Sequence, residues 1–341
     1  MALNRPQNPA AARSIGKCST LRLMSLSKAG LPDSPSFSLA LPRPLETLMF
    51  LSAWLVPWRP AFRTHASESK LAFFVHHRDT IGRHIAKYGT HEPLVTRWMA
   101  EFLSAGRRGI VVDVGANLGW HALHAARQRN VEAVIAFEPD PFNCWLLERN
   151  LAENEIDKVI VDSRAVGAAP GIAKLYRYKS SNYGRHSLAA DHGHGSRSVP
   201  LTDLDGALSG LGFGDRPVAL IKIDVEGYEP EVIAGAQRTL ERADAVILEH
   251  SPDMSSSGGL SAEDTSVRLQ SWGFTPFVLC ATGGTIRTNL EELRRLNGSL
   301  DVIWVRTERL PELARGMNER ERGSLPLQVI AEQNKRVVKP I

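Results

Sequence analysis

The sequence predicts a doubly wound α/β domain: a mostly parallel, seven-stranded, Rossmann-like sheet with helices on both faces. Three observations carry this. Short runs rich in Val, Ile and Leu recur at strand length, stretches with helical spacing separate them, and the first run breaks into the glycine turn of VVDVGANLGW (111–120). Strands that are apolar along their whole length are buried on both faces, which a parallel sheet covered by helices achieves. Right-handed crossovers then set the winding.

The elements follow in order. EPLVTRWMAEFL (92–103) has apolar residues at helical spacing and stops at Gly106. GIVVDV (109–114) reads as a strand and LGWHALHAARQ (118–128) as the helix after it; VEAVIAFE (131–138), PFNCWLLERNLAEN (141–154) and KVIVD (158–162) repeat the alternation. The stretch 172–200, with IAKLYRY and a loop rich in Ser, Gly and His, interrupts it and is expected to form a hairpin or lid. VALIKID (218–224), PEVIAGAQRTLER (230–242), ADAVILE (243–249) and AEDTSVRLQSWG (262–273) resume the pattern, and TPFVLC (275–280) and LDVIWV (300–305) close it.

The chain's 341 residues allow one large domain or two smaller ones. Its pI of about 9.0 conceals an uneven spread of charge. Residues 1–65 carry eight Lys/Arg against two acids, whereas 66–310 carry 27 against 31. The middle is mildly acidic, so the basic pI is no argument for a nucleic-acid partner. We therefore expect a basic extension over 1–65, a catalytic domain over 66–310 and a tail over 311–341. The first 32 residues, basic and without an acid, suit a solvated extension or a transit segment. LMFLSAWLVPW (48–58) falls short of a membrane span and contains Pro57; we read it as a helix packed on the domain edge, with a surface-attaching element as the alternative. Cys18, Cys144 and Cys280 form no C-x-x-C pair, which points to a reducing, cytoplasmic setting without a disulfide framework.

Two places carry chemistry. In an open α/β sheet, ligands bind beyond the carboxyl ends of the strands, near the point where strand order reverses. The first β–α turn lies there. Gly115 suits a strand end where a side chain would block close backbone approach, and Gly119 lets the following helix pack near the sheet. The spacing is G-x-x-x-G around Asn117, with Trp120 where a dinucleotide fingerprint wants its third glycine. Glu138 ends the second strand, where an acid can accept both hydroxyls of a ribose. The simpler reading is a solvated strand-end acid ahead of a helix starting near Pro139. Turn and acid together favour a nucleoside cofactor.

The second place is LIKIDVEGYEPEVIAGA (220–236). Strand alternation aims Lys222 and Asp224 to one side, and the strand end brings Asp224 and Glu226 over the cleft. Such carboxylates can act as general base, hold a sugar or bind a cation. Capping of the turn by Asp224 and a helix start at Glu229 account for part of the cluster.

VVDVGANLG, AFEPDPFNCWLLERNLAEN, LIKIDVEGYEPEVIAGA and VILEH, in that order, resemble the FkbM-type family of S-adenosylmethionine-dependent methyltransferases. RDTIGRHIAKYGTHEP (78–93) resembles its lead-in segment and LDVIWV its final antiparallel strand, so the likeness runs over roughly 70–306. The resemblance implies a class I methyltransferase fold using S-adenosyl-L-methionine. By position, Asp113, Gly115, Asn117 and Gly119 would line the methionine and ribose part of the cofactor, Glu138 would take the ribose hydroxyls, Glu92 would lie near the amino-acid end and Ser163 near the adenine. Leu204-Asp205 matches a short Leu-Asp element of the family. Asp224, also beside the cofactor, and Glu226 would be catalytic, with Glu249 and His250 as helpers. The expected reaction is O-methylation of a hydroxyl on a saccharide or small metabolite. Two other functions stay open: an NAD-dependent oxidoreductase, against which the glycine spacing and KIDVEGYE argue, and a non-catalytic domain that keeps the fold.

Other residues are read plainly. His186, His192 and His194 lie in a glycine-rich stretch that suits a surface segment better than a metal site, and no metal is expected. His121 and His124 read as ordinary helix residues. Tyr176 and Tyr178 read as packing. H-E-x-x-H, G-x-S-x-G and P-loop patterns do not occur.

Overall fold

The computed structural model describes residues 43–52, 61–76, 79–179, 182–251, 261–281, 284–296, 298–310 and 330. The basic stretch 1–32, the end of the 48–58 run and, residue 330 apart, the tail 311–341 lie outside the described residues.

A helix α1 (Pro44–Ser52), a hairpin of β1 (Ala61–His65) and β2 (Ala72–His76), and helices α2 (Thr80–Tyr88) and α3 (Pro93–Ala105) lead in. Then come β3 (Gly109–Val114), α4 (Trp120–Ala126), β4 (Val131–Phe137), α5 (Pro141–Glu153) and β5 (Val159–Asp162). The interruption that follows holds β6 (Ala165–Val166), β7 (Gly171–Tyr176) and β8 (Ser196–Thr202), which form their own three-stranded sheet with β8 in the middle. After α6 (Leu204–Gly210) the alternation returns with β9 (Val218–Ile223), α7 (Glu229–Ala234), α8 (Gln237–Glu241), β10 (Ala245–His250), α9 (Ala262–Ser271), β11 (Phe274–Leu279), β12 (Thr285–Arg287), α10 (Leu290–Arg294) and β13 (Leu300–Arg306).

The main sheet has the order β12-β11-β13-β10-β9-β3-β4-β5. Neighbours from β5 to β10 pair parallel, and β13 runs antiparallel to both β10 and β11. This is the doubly wound sheet expected, with LDVIWV as the reversed strand. It holds eight strands rather than seven, because the chain after β11 folds back and adds the short β12 antiparallel to it. Ahead of residue 66, β1 pairs with β2 along its full length.

Every residue of β3 and β9 is buried, and alternation sorts their side chains between two cores. Ile110, Val112, Val114, Ile221 and Ile223 pack with Leu204, Leu208, Val232 and Leu240 from α6 to α8. Val111 and Leu220 face the opposite way, among Trp98, Phe102, Leu123 and Leu147 of α3 to α5. By the same parity Asp113 and Lys222 emerge on the α3–α4 side, at the strand ends.

The helix expected over 230–242 is two helices. Gly235 and Ala236 interrupt it where a Cβ on Gly235 would lie 2.1 Å from the Gly167 carbonyl. Asp205 restores a start for α8, accepting the Arg238 and Thr239 amides at 2.9 and 2.8 Å. The Leu-Asp element is thus a capping device.

The lead-in hairpin is tied to α5 by two amides one helical turn apart. Asn150 accepts from the Phe74 amide at 2.6 Å and donates to the Phe74 carbonyl at 3.2 Å and the Leu118 carbonyl at 2.8 Å. Asn154 does the same for Ala72, at 2.9 and 2.7 Å. Asn150 is fully buried. Replacing it with Leu strands three backbone groups, and we expect Asn150→Leu to cost roughly 2–4 kcal/mol, read as a lowered denaturant midpoint; an unchanged midpoint would mean that these bonds contribute nothing net.

Candidate active site

The sheet's order reverses between β3 and β9, and the cleft lies at their carboxyl ends. The turn after β3 needs its glycines for different reasons. Gly115 has φ +83°, and a Cβ there would sit 1.9 Å from the Asp224 carbonyl, so the glycine lets the β3 and β9 ends touch. Gly119, at φ +90°, turns its missing side chain toward Leu147 and Leu123 of the core, at 2.3 and 2.8 Å. On its side-chain face it therefore serves helix packing rather than the cleft. Asn117 also adopts positive φ (51°). Its amide donates to Glu138 Oε2 at 2.8 Å, and its own Oδ1 accepts from the Leu118 amide at 2.7 Å.

Glu138 is buried and is gripped twice by backbone, its Oε1 accepting from the Asp140 amide at 2.8 Å. Burial pushes its carboxyl up to about 7, against the pull of those amides. The Asn143 side chain bonds the same carboxylate.

Lys222 Nζ lies 2.9 Å from Asp224 Oδ2 and is itself buried. Burial disfavours its charge, but Asp224, Glu92 and Asp113 together hold it protonated. Glu92 precedes α3 with φ 42° and bonds His121 Nε2 at 2.7 Å. Burial opposes its ionisation; Lys222, His91 and His121 overcome this and keep it well below the usual carboxylate range. An ionised carboxylate only accepts, so His121 Nε2 is the donor. His91 is driven down to about 4, chiefly by burial, and is neutral. Asp113 is buried, neither of its oxygens has a hydrogen-bond partner among the described residues, and burial raises it although Lys222 acts the other way.

Beyond Asp224, the loop to α7 is closed by Glu229, whose Oε1 accepts from the Val225 and Gly227 amides at 3.1 Å each. Glu226 between them has φ 52° and bonds Arg185 at 3.2 Å. Burial and the neighbouring Asp224 push Glu226 up to about 7, against Arg185. Glu92, Asn117 and Glu226 are three of the five described non-glycine residues with positive φ, and all three line the same cleft. Such strain persists where surrounding contacts over-determine it, and it gathers at functional sites.

Two chambers meet over Gly115, Asn117, Gly184 and Asp224. One, of about 520 Å³ with its open mouth, is walled by Phe137, Val166, Leu175, Leu188 and Val225, with Glu138 and Arg164 at its polar side. The other, of about 720 Å³ with its open mouth, holds Glu92, His121, Lys222, Glu226, Arg185 and Trp120. The insert roofs both, since Ser187 Oγ donates to the Glu226 carbonyl at 2.7 Å and Gly184 packs on Ile81 and Asn117.

Asn117, Glu138, Asp224, Glu226, Glu92 and Gly115 therefore converge, and Asp113 lies beneath them. Ser163 does not: it is exposed, and the chain turns at Asp162, whose carboxylate bonds the Arg164 guanidinium at 2.9 Å, so Arg164 faces the chamber instead. His250 is no helper, because its Nε2 lies 3.2 Å from the Leu293 carbonyl on the other face of the sheet. Glu249 stands opposite Asp301 in the β10–β13 ladder, and burial raises it well above its ordinary value. His91, His121, Arg185 and Asn182 are lining residues that the sequence reading missed. His124 is structural as expected, packed beside Trp120 and Phe73. Among the described residues no group of three or more His, Cys, Asp or Glu is arranged to hold a metal ion.

Comparison with known proteins gives the cleft a context. Residues 113–276 match the family described as Methyltransferase FkbM domain; the chain thus contains a methyltransferase domain of FkbM type. It is 28% identical over 141 residues to the hexuronic acid methyltransferase AglP of Haloferax volcanii, a match covering 41% of this chain and 55% of that protein. It is 25% identical over 149 residues to Methyltransferase 1 of Beauveria bassiana, covering 37% and 57%. The chain thus spans little more than half the length of these curated relatives. An rRNA methylase from Streptococcus thermophilus superposes with a TM-score of 0.35 at 12% identity, covering 62% of this chain and 93% of that one.

The raised carboxyls make a stability signature. Glu229, pushed up to about 7 mainly by burial, binds its proton more tightly folded than unfolded. Its contribution is full below the unfolded pKa near 4.5 and is lost as pH rises through about 7. Glu229→Gln keeps an amide oxygen for the two backbone bonds. It is expected to match the parent near pH 5 and exceed it near pH 8, by at most about 3 kcal/mol. Thermal melts at the two pH values read this; an equal effect at both would place the ionisation elsewhere.

Proposed function

We propose that this chain, with its FkbM-type domain over 113–276, is a methyltransferase that uses S-adenosyl-L-methionine to methylate a hydroxyl of a saccharide or related small polar metabolite. The observation that carries the reading is the convergence, at one sheet reversal, of a glycine turn, a strand-end acid and the Lys222–Asp224–Glu226 group on two joined chambers. The likeness to a hexuronic acid methyltransferase supports the saccharide, and the larger chamber is lined by charged and polar groups suited to a small polar molecule. The proposed catalytic domain is the 66–310 region together with β1, flanked by the extensions at either end.

The residues fit the donor. The apolar chamber suits a purine. Glu138 presents its carboxylate to the ribose hydroxyls. The unpartnered Asp113, with Glu92 and Lys222, offers both signs of charge to an amino-acid group. When bound, S-adenosylmethionine supplies an electrophilic methyl group whose leaving group is a neutral thioether. The protein's work is alignment, worth roughly 7–11 kcal/mol in favourable cases, and removal of the hydroxyl proton. Asp224, fixed by Lys222 where the chambers meet, orients the acceptor hydroxyl. Glu226 takes the proton; with its carboxyl near 7 it is matched to neutral pH. Arg185 holds Glu226 in place and favours its charged form, and the insert covers the reacting groups from one side.

Calorimetric titration of the full chain with S-adenosylmethionine and, separately, NADH, each with and without magnesium, tests the cofactor. Selective binding of the methyl donor is expected, weakened about 10–100-fold by Glu138→Gln; selective NADH binding would turn the reading to an oxidoreductase, and binding of neither to a non-catalytic domain. Asp224→Asn and Glu226→Gln should each lower turnover at least about 100-fold, and Glu226→Gln should leave donor affinity unchanged. Full turnover in both would remove the base assignment. Because the base must be ionised, the rate should rise with pH through about 7, and Arg185→Gln should move that rise to higher pH.

A further inference from the structure

The helix α1 lies away from the cleft chemistry, against α2, with the Arg43 guanidinium bonded to the His65 carbonyl and the Thr64 hydroxyl. Its other face is unusual. Leu45, Leu48 and Leu51 are 69%, 65% and 51% exposed, and their spacing of three residues sets them along one stripe. They account for three of the seven exposed large hydrophobic residues described. Nothing described covers them.

We propose that this stripe is a docking surface for an anionic lipid membrane, on which the protein lies peripherally. Charge along the sequence decides the partner. The helix itself holds one acid, Glu46, while residues 1–65 carry eight Lys/Arg against two acids, and the helix sequence runs on into AWLVPW with Trp54 and Trp58. Leucines on one helix face, with tryptophan and cations close by in the sequence, are the pattern of elements that rest in the interface between headgroups and acyl chains. A second copy fits less well. Nine residues make a helix about 14 Å long, whose exposed stripe falls far short of the ~800 Å² per partner of a stable dimer. No helix among the described residues is long and apolar enough to cross a membrane, so attachment is to one leaflet.

Flotation of the full chain with vesicles of phosphatidylcholine alone and of phosphatidylcholine with phosphatidylglycerol tests this. Co-flotation with the anionic vesicles is expected, at least tenfold weaker in the variant Leu45→Gln/Leu48→Gln/Leu51→Gln and progressively lost with added salt. An unchanged melting temperature in that variant shows that the fold is kept. Equal binding to both vesicle types, equal binding by parent and variant, or no binding to either would overturn the proposal. So would a dimer in light scattering that the variant converts to monomer, which would assign the stripe to a second copy. None of these readouts depends on methyl transfer.

Discussion

The arrangement at the sheet's carboxyl edge depends on one buried ammonium. Lys222 sits buried near the carboxyl end of an otherwise apolar strand, where an isolated charge costs several kcal/mol. It is tolerated because acids from three separate segments reach it: Asp113 from β3, Glu92 from the start of α3 and Asp224 from its own strand end. Lys222 in turn favours the ionised forms of Glu92 and the buried Asp113. Asp224 comes from the strand end of Lys222 itself, whereas Asp113 and Glu92 come from two other segments, and the cleft is the place where these meet. The left-handed backbone at Glu92 follows from the same constraint, since His121 and Lys222 fix its carboxylate from either side.

Environment then divides the site's carboxylates into two kinds. Glu92 lies against cations and stays ionised. Glu138, Glu226 and Glu229 owe their position more to burial, and all are raised to about 7. Of these, Glu138 and Glu229 are anchored by backbone amides and shape the floor, whereas the carboxylate of Glu226 is held by a single half-exposed arginine. The same side chain thus serves as scaffold or as reactive group according to what holds it.

The sequence displays the parts of this site that repeat a physical rule. Strands announce themselves as apolar runs, Gly115 as a position where two backbones touch, Glu138 by its place at a strand end, and Lys222, Asp224 and Glu226 as charges that an apolar strand does not otherwise carry. What was illegible depends on side chains meeting across the fold. Arg185 reaches Glu226 from 41 residues away, out of a segment rich in Ser, Gly and His that reads as surface. His121 and His124 look alike on one helix, yet one meets Glu92 in the cleft and the other packs on aromatics. Ser163 and Arg164 exchange places because a tight turn at Asp162 re-aims the chain by one residue, below what spacing can resolve. The eighth strand and the split of the 230–242 helix arise similarly, from a fold-back and from Asp205 capping a helix start more than thirty residues away.

The paired asparagines of α5 have a consequence for the domain's margin. β2 gives one flank to β1, and at Ala72 and Phe74 on its other flank the donors and acceptors are already occupied by Asn150 and Asn154. The helix thus imitates a neighbouring strand without being one. An open strand flank is a template for partner strands, whether in β-augmentation or in aggregation. At these positions the template is filled by side chains of the same molecule, so this margin is closed to recruitment.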